Sequence, residues 1–113
     1  MHELGLLVQM ADTVKAAAEA NGIERVGYIS LDIGEASGAL PELFTEVFPA
    51  VQEKYPVLAD AKLRMRTIPS KALCLECNAL YDVMKQEGKC PVCGSAYKKV
   101  LGGMEVTIRE IGY

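Results

Sequence analysis

Four cysteines form two short pairs in the second half of this 113-residue chain. Two residues separate Cys74 from Cys77, two separate Cys90 from Cys93, and twelve lie between the pairs. Two such pairs allow four thiolates to converge tetrahedrally on one metal ion, which then has no open position for catalysis. The spacing predicts a structural Zn²⁺ site, with a rubredoxin-like iron centre or a redox dithiol as the alternatives.

The other residues with metal-binding chemistry lie at the amino terminus. The only histidine, His2, follows Met1, and its size predicts that the initiator methionine is retained. The α-amine, the amide nitrogen of His2 and its imidazole Nδ1 then form adjacent chelate rings in one plane, and the amide or carboxylate of Glu3 supplies a fourth donor. Planar nitrogen donors favour Ni(II) or Cu(II) over Zn²⁺. The alternative is that His2 is an incidental polar residue at the chain end.

Composition and charge exclude several other classes of protein. Half of the residues are hydrophobic and 24% are charged, which is typical of a packed globular protein. The formal charge of -3 makes nucleic acid an unexpected partner. Because no apolar run suits a secretory signal or a membrane span, we expect a cytoplasmic protein without a membrane partner. Cysteines in that compartment bind metals more often than they form structural disulfides.

The first part of the chain has the hydrophobic spacing of a helix and a strand. Apolar residues recur every three or four positions over residues 3–20, which predicts a helix that ends at Asn21 and Gly22. Alternation over residues 27–33 predicts the first strand. The apolar stripe of the helix is expected to be ordinary core and comprises Leu4, Leu7, Val8 and Val14.

A second helix follows the first strand. Helical spacing extends over residues 40–51, and Pro41 suits the first turn of a helix. Pro49 lies inside this pattern and lacks a backbone N–H group. We therefore expect a kink or an early end of the helix near Phe48.

Two further alternating segments predict a second and a third strand, over residues 61–66 and 104–111. The acidic residues of the third strand are expected beside the basic face of the second and to offset its charge. The first two strands, separated by a helix, predict a right-handed crossover, and the three strands with two helices predict a two-layer α+β sandwich. The basic face consists of Lys62, Arg64 and Arg66.

All four cysteines lie in an excursion between the second and third strands. It starts after Pro69 and ends at a glycine pair expected to be flexible, Gly102 and Gly103. The chain thus divides into one domain of residues 1–69 plus 104–113 and an inserted zinc-ribbon domain of residues 70–103. Because the insertion is too short to bury a sufficient core, its metal must stabilise it.

Several motifs occur together in one particular order. They are Met1-His2-Glu3-Leu4, Gly34-Glu35-Ala36-Ser37-Gly38, Pro41-Glu42-Leu43-Phe44 and the paired cysteines ending in Cys90-Pro91-Val92-Cys93-Gly94. The cysteine pairs alone are generic, but the combination closely resembles the HypA/HybF family of hydrogenase maturation nickel metallochaperones. The resemblance covers essentially the whole chain.

The resemblance implies a function, a set of ligands and partners. It implies that the chain delivers Ni(II) to the large subunit of [NiFe]-hydrogenase, with His2 as nickel ligand supported by Met1 and Glu3. It implies partnership with a maturation GTPase and, in some organisms, with urease accessory proteins. A phosphate-binding loop motif is absent from the sequence, so the partner must hydrolyse the nucleotide. The implied zinc ligands are Cys74, Cys77, Cys90 and Cys93.

Two other classes of function compete with a nickel carrier. A zinc-ribbon adaptor would act through protein contacts alone, with His2 incidental. An enzyme is not expected, because the lone histidine lies at the chain end and every cysteine belongs to the predicted metal site.

Overall fold

The computed structural model describes residues 3–113, which form two helices, a short 3-10 turn and six strands. The strands form two separate sheets, and the predicted α+β class is confirmed. No helix within residues 3–113 is long and apolar enough to cross a membrane. The elements are α1 (Glu3–Ala20), β1 (Tyr28–Gly34), α2 (Pro41–Lys54), the 3-10 turn (Pro56–Leu58), β2 (Lys62–Ile68), β3 (Lys71–Cys74), β4 (Leu80–Asp82), β5 (Lys98–Val100) and β6 (Val106–Gly112).

The first sheet has the strand order β2-β1-β6. β1 and β2 are parallel and are joined through α2, as the sequence predicts, while β6 is antiparallel to β1. Both helices and the inward side chains of this sheet form one apolar core. Its largest fully buried side chains include Phe44, Leu31 and Ile33. Burial of these side chains is the main force that holds this part of the chain together.

The predicted core stripe of α1 is correct except at its first turn. Leu7 and Val14 are buried and Val8 is half-buried, but Leu4 is exposed. Glu3 takes the inward position four residues before Leu7, on the same face of the helix. Leu4 is the next residue along the helix and is therefore turned away from that position.

α2 continues through Pro49, so the predicted early end near Phe48 is wrong. Phe44, Phe48 and Val51 lie on one face of the helix and are all buried. Their burial outweighs the loss of a single backbone hydrogen bond at Pro49. Pro49 itself is exposed.

The positive charge of the basic face of β2 is offset by a carboxylate of β1 and not by the acidic residues of β6. The expected position of the third strand is therefore wrong. β6 lies on the far side of β1 and does not touch β2 in the sheet. The carboxylate of Asp32 on β1 accepts two hydrogen bonds from Arg66, at 2.6 and 3.1 Å. Arg109 of β6 lies 3.5 Å from the same carboxylate, and Glu110 accepts a hydrogen bond from the hydroxyl of Tyr28. The crossover through α2 places β2 on one edge of β1, and β6 pairs with the opposite edge of β1.

The glycine pair after β5 is held by hydrogen bonds. The carbonyl of Gly103 accepts the N–H of Ala36 at 2.9 Å, and the carbonyl of Gly102 accepts the hydroxyl of Ser70 at 2.9 Å. Gly103 has a φ of 76°, and a Cβ there would lie 2.5 Å from the Cα of Ser70. Gly103 therefore lies at a close crossing of two backbone segments, a position that only glycine permits.

Candidate metal centres

The four cysteines converge at one end of the second sheet, which has the order β4-β3-β5. All four Sγ atoms lie within 4.8 Å of one another. The sulfurs of Cys74 and Cys93 are 3.6 Å apart, and those of Cys77 and Cys90 are 3.5 Å apart. Sulfurs bound at about 2.3 Å around a tetrahedral Zn²⁺ lie about 3.8 Å from one another. The arrangement therefore fits a four-sulfur metal site.

Each cysteine pair ends in a turn with a left-handed residue. Asn78 has a φ of 64° and donates its N–H to the carbonyl of Cys74 at 2.9 Å. Gly94 has a φ of 76° and donates its N–H to the carbonyl of Cys90 at 2.8 Å. Asparagine and glycine are the residues that tolerate this conformation. The two pairs therefore have the same turn, which directs both thiols of each pair toward the centre.

Backbone N–H groups stabilise the thiolate of the first cysteine in each pair. Hydrogen bonds from the N–H groups of Cys93 and Val92 lower the pKa of Cys90 to about 6, against the opposing effect of burial. The N–H group of Cys77 in the same way lowers the pKa of Cys74. Thiolate is the form of cysteine that binds metal ions. The backbone therefore prepares two of the four sulfurs as ligands.

The pKa of the second cysteine of each pair is raised, which favours its protonated form in the absence of metal. The N–H of Ala79 lowers the pKa of Cys77, but the neighbouring Cys90 sulfur and burial outweigh it and raise that pKa to about 12. The pKa of Cys93 is also raised. The sulfur of Cys93 lies 3.6 Å from that of Cys74, and the sulfur of Cys77 lies 3.5 Å from that of Cys90. A divalent cation that displaces both protons would satisfy all four sulfurs at once.

The apolar cluster around the cysteines is small. It consists of Ala72, Cys74, Tyr81 and Cys90, so half of its buried members are themselves candidate ligands. Lys98 donates from Nζ to the carbonyl of Gly88 at 2.9 Å and fastens the loop that precedes Cys90. Lys98 was not predicted from the sequence, because a lysine whose partners are backbone carbonyls leaves no pattern there.

The second predicted metal site lies at the amino terminus. Met1 and His2 lie outside the described residues, and Glu3 begins α1. The carboxylate of Glu3 is buried, and its Oε2 accepts the backbone N–H of Leu40 at 3.0 Å. Leu40 precedes α2 and has no side-chain cap of its own. Glu3 thus acts as a cap from another helix, and its negative charge favours the amino-terminal end of α2.

The chain is similar over nearly its whole length to proteins of one family. Residues 1–113 match the family described as "Hydrogenase/urease nickel incorporation, metallochaperone, hypA". A protein named hydrogenase maturation factor HypA from Albidiferax ferrireducens is 32% identical over 98% of this chain and 97% of its own length. A protein of the same name from Rhodopseudomonas palustris is 30% identical over the same shares.

The fold has also been observed before. The solution structure of the Ni metallochaperone HypA from Helicobacter pylori superimposes with a TM-score of 0.73 and 22% identity, over 99% of this chain and 97% of that one. At that identity the likeness concerns the fold, and the family match over the whole chain carries the assignment. The chain belongs to the HypA family, a family of nickel-handling metallochaperones and not of enzymes, as its sequence motifs predict.

Proposed function

We propose that this chain carries Ni(II) for the maturation of [NiFe]-hydrogenase and that Zn²⁺ holds its four-cysteine site together. The observation that carries the proposal is the closure of the four sulfurs around one point. Four thiolates fill a tetrahedral coordination shell, so an ion held there is not readily passed on. A metal that is to be transferred then requires a second, more open site.

The proposed structural ion is Zn²⁺, bound by Cys74, Cys77, Cys90 and Cys93. The short distances between sulfurs and the soft donors support this choice. Bound Zn²⁺ would supply architecture to the second sheet. We also propose that residues 70–103 form a zinc-ribbon domain inserted into a nickel-binding domain of residues 1–69 plus 104–113. The two separate sheets and the two separate apolar clusters support this division.

The proposed cargo site is the amino-terminal tripeptide, with His2 as the principal Ni(II) ligand and Met1 and Glu3 in support. Because the carboxylate of Glu3 is engaged by Leu40, we assign the fourth in-plane donor to the amide nitrogen of Glu3. Nitrogen donors in a plane suit Ni(II). The protein then carries two different metals in two different geometries.

The proposed partners are a maturation GTPase, the hydrogenase large subunit and, in some organisms, urease accessory proteins. Two exposed leucines support docking of a partner near the proposed nickel site. Leu4 follows Glu3 in the chain, and the N–H of Leu40 donates to the carboxylate of Glu3. The proposed function involves no nucleic acid and no membrane as a partner, and its proposed location is the cytoplasm. The net charge of -3 supports the exclusion of nucleic acid.

The deciding experiment is a nickel titration of wild-type protein and of His2→Ala, followed by ultraviolet-visible spectroscopy. We expect His2→Ala to lose the planar Ni(II) spectrum and to keep its zinc content, because the two sites share no ligand. A variant with one extra amino-terminal residue should also lose the spectrum, because the α-amine is displaced. Gln9→Ala, an exposed change on α1, serves as the control.

Equal nickel affinity in His2→Ala would contradict the cargo assignment. Absence of a planar Ni(II) spectrum in the wild-type protein at neutral pH would instead favour the zinc-ribbon adaptor. Disulfide cycling in protein purified without zinc would favour a redox function of the cysteines.

A further inference from the structure

Two neighbouring hollows lie where the two sheets meet. One, of about 600 Å³, is bounded by the open face of the first sheet and by residues 100–105. The other, of about 360 Å³, lies on the second sheet between β3 and β4. Leu101 lines both hollows, so they are parts of one surface. We call this surface the junction groove.

The junction groove exposes large apolar side chains. Leu80 is 66% exposed, Leu101 is 53% exposed and Met104 is 56% exposed. None of the three belongs to either apolar cluster of the described residues. Neighbouring exposed side chains of this size are typical of a surface that another molecule covers.

The charges along the junction groove are not equally accessible. Arg66 is 60% exposed at its side chain, whereas its partner Asp32 is 18% exposed. Lys71 is 58% exposed, whereas Asp82, 3.9 Å away, is 8% exposed. A molecule that approaches the groove therefore meets the cations and not the carboxylates that pair with them.

The other exposed charged residues along the groove also leave its exposed charge positive. Arg109 lies 3.5 Å from Asp32 with 42% of its side chain exposed. Lys99 is exposed and, by the strand register, lies on the face of the second sheet that carries Leu80. Glu105 is the exposed carboxylate among the lining residues. Four exposed cations thus lie along or beside the groove, against two exposed carboxylates, Glu105 and Glu110, in a chain whose formal charge is -3. Glu110 accepts a hydrogen bond from the hydroxyl of Tyr28.

Hydrogen bonds fix the two hollows relative to each other. The carboxylate of Glu35, after β1, accepts the N–H of Ser70 at 2.9 Å, and the hydroxyl of Ser70 donates to Gly102. Ala36 donates to the carbonyl of Gly103, and the carbonyl of Ser70 accepts the N–H of Val83. The junction groove therefore exists before binding, which lowers the entropic cost of an association.

We propose that the junction groove binds an acidic amphipathic segment of a partner protein, whose apolar side chains cover Leu80, Leu101 and Met104. Carboxylates beside those side chains would meet Arg66, Lys71, Lys99 and Arg109. Charge complementarity selects this partner over a basic one. The proposal invokes none of the proposed nickel ligands, so its test requires no nickel.

The test uses the full-length zinc-loaded protein and a fluorescein-labelled synthetic peptide of roughly four helical turns. Leucines follow the helical spacing, and glutamates fill the flanking positions. A matched peptide has lysine in place of each glutamate. We expect saturable binding of the acidic peptide by fluorescence anisotropy and at least about tenfold weaker binding of the lysine peptide. Amide shifts in nuclear magnetic resonance spectra should be largest around Leu101.

Met104→Ser and Met84→Ser form a matched pair, because both methionines are 56% exposed and only Met104 lines the junction groove. Met104→Ser and Lys99→Glu should each weaken the acidic peptide several-fold, and Met84→Ser should leave it unchanged. The proposal is overturned by absence of saturable binding, by equal effects of the two methionine changes, or by equal affinity for the lysine peptide. Equally tight binding of a labelled single-stranded DNA would also overturn it. So would self-association of the chain that buries Leu101 and that the acidic peptide does not reverse.

Discussion

The two sheets of this protein are stabilised in different ways. The first sheet and its helices share an apolar core of fifteen buried residues, from both helices, β1 and the intervening turns. The second sheet has a buried cluster of four, two of which are cysteines. Apolar burial is sufficient for the first region, whereas the second is too small to fold by burial alone. One chain thus combines a part that is folded by apolar burial with a part for which we propose stabilisation by a metal ion.

This difference suits a carrier of metal ions. A closed four-sulfur site retains its ion, because every coordination position is filled. Such a site can serve as architecture without competing for the cargo. The first region contains no cysteine among its described residues. Its first described residue, Glu3, begins α1 and accepts a hydrogen bond from Leu40, the residue before α2. In the proposed function, zinc retention and nickel transfer therefore belong to separate places in the molecule.

Removal of the proposed structural metal should reveal the largest difference in stability between the two regions. Prolonged treatment with a strong chelator, or Cys90→Ser, should abolish the ordered amide signals of residues 70–103 and leave those of α1 and α2 in place. Structural zinc contributes about 10–16 kcal/mol in small zinc peptides. Amide dispersion in nuclear magnetic resonance spectra and metal analysis measure the two outcomes.

Glu76→Gln is the control for that experiment, because Glu76 lies between the first two cysteines and its side chain is exposed. It should retain the metal. Intact dispersion of residues 70–103 after complete metal removal would show that the second sheet does not need the ion.

A cavity in the first region should have the next largest effect. Phe44 is fully buried, so Phe44→Ala should lower the free energy of unfolding by about 3–5 kcal/mol. Urea unfolding followed by circular dichroism measures this change, and the zinc content should stay constant. Val92→Ala is the control, because Val92 is exposed. Loss of zinc in Phe44→Ala at native conditions would mean that the two regions do not fold independently.

Loss of a charge on the open face of the first sheet should have the smallest effect. Hydrogen bonding to Arg66 lowers the pKa of Asp32 below its unfolded value. The ionised carboxylate therefore stabilises the fold above the unfolded pKa, and this contribution disappears as the pH falls through the folded pKa. Asp32→Asn should lower Tm slightly at neutral pH, and its difference from wild type should vanish in acid.

Calorimetry across that pH range tests this expectation. Asp60→Asn is the matched change, because Asp60 is 77% exposed in its pair with Arg25 and should alter Tm less. A difference between Asp32→Asn and wild type that did not depend on pH would rule out the charge as its cause.

Periodicity along the sequence predicted most of the elements. The helix over residues 3–20, the parallel pair of β1 and β2 and the strand before the chain end are all confirmed. These features depend on short-range spacing of apolar side chains, which the sequence contains directly. The turn within each cysteine pair is equally local, because it involves neighbouring residues only. The two pairs meet across 13 and 19 positions of the chain, which requires the second sheet.

Contacts between distant segments were not predictable in the same way. The register shift in β6 opposite Ser30 and Leu31 places Arg109 and Glu110 side by side, so both reach the open face of the sheet. Simple alternation over that strand assigns them to opposite faces. The prediction at Pro49 was wrong because helix propensity depends on the residue itself, whereas α2 is stabilised by packing against distant parts of the chain.

The order of residues alone determined that this chain has helices, strands and two cysteine pairs with the spacing of metal ligands, and it predicts a second set of donors at the amino terminus, because each of these features depends on neighbours a few positions apart. Only the tertiary structure decided which strand borders the basic face, that Glu3 caps α2 across 37 positions, and that two glycines expected to be flexible form a fixed crossing. Such contacts form only when the whole chain is packed, because their energy depends on partners that no local pattern specifies.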